Sequence, residues 1–78
     1  MEESGYEKIG EVNGRWKADL IESFLKAEGI DVLLIQDAVT HYLYKSAFDA
    51  VEIHVAKSQS LKARELLKSF EEMQSNEE

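Results

Sequence analysis

Hydrophobic positions along the chain alternate between a helical and a strand-like period. Between Arg15 and Glu28, Leu20, Ile21, Phe24 and Leu25 recur at the three- and four-residue spacing of a helix, flanked by Trp16, Ala18 and Ala27. Arg15, Asp19, Glu22 and Lys26 fall on the opposite side, and Arg15–Asp19 and Glu22–Lys26 are opposite charges one turn apart. Gly29 follows as a stop, because a residue without Cβ takes a left-handed conformation at little cost. Trp16 lies at the stripe's edge and is expected to act as a lid on the core. A second helix is predicted after Ser58 or Ser60, either of which can cap it. There Ala63, Leu66, Leu67, Phe70 and Met73 line one face, with Lys62, Glu65, Lys68 and Glu72 towards water.

The remaining apolar stretches read as strands. In Ala50–Ala56, Val51, Ile53 and Val55 point one way and Glu52 and His54 the other. Tyr6–Val12 is a shorter signal, with Gly10 between Ile9 and Val12, and Asn13-Gly14 breaks it. Asn13 is placed to cap the first helix by accepting a backbone N–H. Val32-Leu33-Leu34-Ile35 is apolar without interruption, as expected of a strand covered on both faces. Asp37–Phe48 is compatible with a loop holding a short strand or with a flap, and gathers His41, Tyr42, Tyr44 and Phe48. Residues 1–5 and 73–78 read as polar tails around a single domain with an ordered core of about 6–72.

This order, β-α-β-β-α, implies an α+β two-layer sandwich. Two striped helices need a sheet to cover. A right-handed crossover leads from the first strand to the second. The third strand can then pair antiparallel with both, giving strand order 1-3-2 with both helices on one face. That is a ferredoxin-like arrangement lacking its last strand. One helical layer covers one face only, so alternate residues of Val32–Ile35 are left on the other. Leu33 and Ile35 are the outward pair in one register and Val32 and Leu34 in the alternative, since a one-residue slip exchanges the faces. An apolar patch on a small domain marks an interaction site. Leu33, Ile35, Glu52 and His54 are therefore the candidate partner-binding residues, with Tyr42 and Tyr44 at the margin.

Composition narrows the partner. Nine Lys and Arg against sixteen Asp and Glu leave a net charge of −7, with no basic run. A nucleic-acid binder must neutralise phosphates with clustered cations, so nucleic acid and anionic membrane are both disfavoured. No stretch nears the roughly 20 apolar residues that span a bilayer. The acidic start, Met1-Glu2-Glu3-Ser4-Gly5, differs from a secretory signal, and a cytoplasmic location is expected. With 78 residues and no cysteine, the domain has a thin stability margin and no disulfide to widen it. Self-association, as a dimer or trimer, is the plausible supplement.

The run Ala18-Asp19-Leu20-Ile21-Glu22-Ser23-Phe24-Leu25-Lys26-Ala27-Glu28-Gly29-Ile30, with Ala63-Arg64-Glu65-Leu66-Leu67 near the end, resembles a small bacterial family. Its members are described as prokaryotic signal-transducing proteins of unassigned function. The resemblance spans roughly Lys8 to Phe70. It implies a fold related to PII-type signalling proteins and ferredoxin-like domains, and it carries over no catalytic or ligand-binding residue.

Catalytic chemistry is not indicated. Gly10 and Gly14 lack the further glycine and lysine of phosphate-binding loops. His41 and His54 are too few for a zinc site without carboxylate help, so no metal and no cofactor are expected. Asp19 and Glu22 lie on a solvated helix face. No serine or histidine arrangement supplies a nucleophile and base. The expected role is a non-enzymatic binding or regulatory module acting through self-association or another protein. The alternative is a small-molecule sensor with its ligand at the 37–48 connection.

Overall fold

The structure is a computed structural model that describes residues 5–36 and 50–75. Its elements are β1 (Tyr6–Asn13), α1 (Arg15–Ala27), β2 (Val32–Ile35), β3 (Ala50–Ala56), a 3-10 turn (Lys57–Gln59) and α2 (Ser60–Ser75). The strands form one sheet in the order β1-β3-β2, with β3 antiparallel to both neighbours. The element order and strand order are those expected, and the fold is α+β with an open sheet. The described residues include no fourth strand.

The central strand carries the core. Val51, Ile53 and Val55 are fully buried, and Ile21, Leu25, Ala63, Leu67 and Phe70 pack down from the helices. Phe24 and Phe70 join α1 to α2, their ring centroids 5.3 Å apart and tilted by 47°. Ile30 and Val32 close the core beneath α1.

Both ends of α1 depend on glycine. Gly14, with φ 100° and ψ 128°, is the residue before the first turn, and its carbonyl accepts from Ala18 N at 3.2 Å. Asn13 was the expected cap. It is instead the last residue of β1, opposite Ala50, and no side chain caps the helix. At the other end Gly29, with φ 85°, takes the left-handed conformation. Gly29 N then donates to Lys26 O at 3.0 Å and Ile30 N to Leu25 O at 3.1 Å. This pair of bonds satisfies the last carbonyls and turns Ile30 back onto Leu25 in the core.

Three apolar residues expected to face the core do not. Trp16 is 76% exposed, Leu20 38% and Met73 54%. The buried arc of α1 runs through Ala18, Ile21 and Leu25, with Phe24 on its flank towards α2. At about 100° per residue, Trp16 and Leu20 lie well outside that arc. On α2 the core is filled by Ala63, Leu67 and Phe70, and the helix continues past it to Ser75. The i,i+4 pairs Arg15–Asp19 and Glu22–Lys26 form as expected, each at 3.1 Å.

Candidate interaction surface

The face of the sheet turned away from α1 and α2 is organised by register. Lys8, His54 and Leu33 lie side by side across β1, β3 and β2, and Glu11, Glu52 and Ile35 form the next row. Tyr6 opposite Ala56 and Asn13 opposite Ala50 complete the β1 side. On the helix side the rows are Glu7, Val55, Val32 and Gly10, Ile53, Leu34. Leu33 and Ile35, at 43% and 39% exposure, are the outward pair of β2, while Val32 is buried and Leu34 half-buried. The register left open by the apolar run is thus resolved by pairing with β3.

A bulge decides which β1 residues join this face. Lys8 pairs with His54 and Gly10 with Ile53, leaving Ile9 as an extra residue between them. Strict alternation from Tyr6 would put Val12 outside and Glu11 inside. The inserted residue reverses the two halves, so Lys8 and Glu11 share the open face and Val12 turns to the core. Gly10 is the local signal for this, because a glycine within a strand often marks a bulge or a close approach. Here it is also a close approach: a Cβ on Gly10 would lie 3.2 Å from Leu67 Cδ2.

Four charged or polar side chains form a chain across the face. His54 Nε2 lies 3.0 Å from Glu52 Oε1, Lys8 Nζ 3.7 Å from Glu52 Oε2, and Lys8 Nζ donates to Glu11 Oε1 at 3.1 Å. The carboxylate only accepts, so His54 carries a hydrogen on Nε2 in this contact. The hydrogen bond from His54, aided by the Lys8 charge, holds the Glu52 carboxyl below its ordinary range. The hydrogen bond to Glu11 and the charge of Glu52 push the Lys8 ammonium up. At the end of the sheet Tyr6 donates its hydroxyl to Asp31 Oδ2 at 2.9 Å, which pushes the phenol up.

The face therefore has two halves, an ion-paired strip over β1 and β3 and an aliphatic strip on β2. The structure brings Leu33, Ile35, Glu52 and His54 together on adjacent strands. Lys8 and Glu11 belong to the same surface and escaped the sequence reading, because strict alternation assigns Glu11 to the other side. Tyr42, Tyr44 and the 37–48 connection, where a ligand was considered, lie outside the described residues. Among the described residues no group of three His, Cys, Asp or Glu is placed to hold a metal ion.

The opposite side of β1 borders an open groove of about 330 Å³ beneath α2, floored by Gly10, Val12 and Leu67 and rimmed by Arg64 and Lys68. Arg64 is engaged there. Its Nη2 donates to Glu7 Oε2 at 2.7 Å and to the Lys8 carbonyl at 3.4 Å. The Arg64 hydrogen bond holds the Glu7 carboxyl below its ordinary range. No helix among the described residues is long and apolar enough to cross a membrane. Compared with family models, curated proteins and solved structures, the chain matches none.

Proposed function

We propose that the protein is a non-enzymatic, cytoplasmic binding module that acts through self-association, with the β2 half of the open sheet as its contact surface. One observation carries this reading. Leu33 and Ile35 stand about two-fifths exposed on the face turned away from α1 and α2, while the alternate residues of the same strand pack into the core. Removing such side chains from water stabilises an interface by about 25 cal/mol per Å² of apolar area. The neighbouring Lys8, Glu11, Glu52 and His54 are already paired with one another, so they form a satisfied polar rim. The resemblance to bacterial signal-transducing proteins supports a regulatory role.

Solution mass by light scattering tests the proposal. The wild-type chain is expected to exceed the mass of one copy, and Leu33→Lys with Ile35→Lys to return it to a monomer with unchanged circular dichroism. A wild-type monomer at high concentration would sink the proposal.

A further inference from the structure

The groove between β1 and α2 takes no part in the open face of the sheet. Its wall is set by helical spacing. Leu67, Lys68 and Glu71 follow Arg64 at three, four and seven residues, so the four share one side of α2. Its floor is apolar, with Ile9, Val12 and Leu67 around the bare backbone of Gly10. A volume of about 330 Å³ lies at the small end of the roughly 300–1,000 Å³ that small-molecule sites occupy.

Hydrogen-bonding capacity around this groove is one-sided. Glu7 accepts from Arg64 at 2.7 Å, Glu11 accepts from Lys8 at 3.1 Å, and Glu71 is also engaged. Lys68, by contrast, takes part in none of the ion pairs among the described residues. Its ammonium has three N–H groups to give. The Arg64 guanidinium has five, and the structure commits Nη2 alone, to Glu7 and the Lys8 carbonyl. The bond to Glu7 holds that guanidinium in place at the rim. Arg64 and Lys68 stand one turn apart, where like charges repel, and an anion between them relieves the repulsion. Donors are in surplus here, and an acceptor is what the site lacks.

We propose that this groove binds a small amphipathic carboxylate, with its acid group between Arg64 and Lys68 and its aliphatic tail on Ile9, Val12 and Leu67. The site is independent of self-association through the sheet. The net charge of −7 opposes anions at long range, but that field is screened beyond about 10 Å at 0.1 M salt, whereas Lys68 acts in contact. At about 30 Å³ for each water-sized group, a groove of about 330 Å³ holds a short acyl chain such as hexanoate.

Hexanoate, hexylamine and hexanol share one chain and differ in charge, so they separate acid recognition from simple filling of an apolar recess. Each is titrated at constant ionic strength into the isotope-labelled protein, with amide resonances followed by NMR. Hexanoate is expected to move the Gly10, Val12 and Lys68 amides and to saturate in the millimolar range, with hexanol weaker and hexylamine without effect. Lys68 is exposed, so Lys68→Glu should keep the circular dichroism of the wild type and transfer the preference to hexylamine. An equal response to all three probes overturns the assignment of an acid. Hexanoate shifts that persist unchanged in folded Lys68→Glu overturn the role of Lys68. No saturable change at these amides in the wild-type chain overturns the site itself.

Discussion

Ile53 lies in the middle row of the helix side, between Gly10 and Leu34, with no exposure to water. Ile53→Ala deletes side-chain carbons from a site that cannot collapse freely, and a loss of about 2–5 kcal/mol is expected in urea denaturation. Leu33→Ala, on the other side of the same sheet, is expected to change the stability of the isolated chain by less than about 1 kcal/mol. Gly29→Ala forces a side chain into a left-handed conformation and is expected to cost about 1–2 kcal/mol. The charged residues set a pH dependence. Glu7 and Glu52 bind protons less readily when folded, so their contribution is present above the ordinary carboxylate range and is lost as pH falls through it. Lys8 and Tyr6 are shifted upward, so theirs is lost only in alkali, as pH rises past their ordinary values. Melting temperatures should therefore be level near neutrality and drop at both ends, with a shallower acid limb in Glu52→Gln. The Glu52–His54 pair was legible, because residues two apart share a strand face. Its extension to Lys8 and Glu11 was not, since it depends on one inserted residue in the neighbouring strand.

At the scale of elements, the helix stop was easier to read than the helix start. Gly29 ends α1 as its position suggests, whereas Gly14 displaced Asn13 as the residue before the first turn. A further contact ties the elements together and leaves no trace in local pattern. Gln59 receives Asp31 N on its Oε1 and donates its Nε2 to the Gly29 carbonyl, both at 2.8 Å. This staple fixes the turn after α1 to the turn before α2, across about thirty residues of sequence. Gln59→Ala is expected to cost about 1 kcal/mol, in line with two partly solvated hydrogen bonds, and to speed hydrogen exchange at the Asp31 amide. If that amide exchanges at its original rate, the staple does not hold the turn. Helical spacing by itself also overcounted the stripe on α1. It admits Leu20 alongside Ile21 and Leu25, and the partner layer decides how wide an arc is used.

For the whole molecule, element order and strand order followed from the alternation of helical and strand periods, the right-handed crossover between the first two strands and the antiparallel pairing of the third with both. The identity of the outward pair on β2 needed β3 as a reference, since a four-residue apolar run has no polar position to mark its phase. The role of the surface was less legible still, because a contact has two sides and the chain encodes one of them. Its charge nevertheless makes a prediction. Like-charged copies repel over a screening length of about 10 Å at 0.1 M salt and about 3 Å at 1 M. Raising salt across that range should tighten self-association, as read from the concentration dependence of solution mass. Weakening with salt would mean that ion pairs between copies hold the assembly.

The placement of Trp16 bears on how such measurements are read. It is the chain's one tryptophan, and it stands on the first turn of α1, clear of the core. Its indole is already surrounded by solvent in the native fold, so intrinsic fluorescence should change little on unfolding and would under-report the transition seen by circular dichroism. The same dye-like isolation makes it an independent witness. Assembly through the sheet should leave its emission colour unmoved, whereas a blue shift on concentrating the protein would place the newcomer on the helical side.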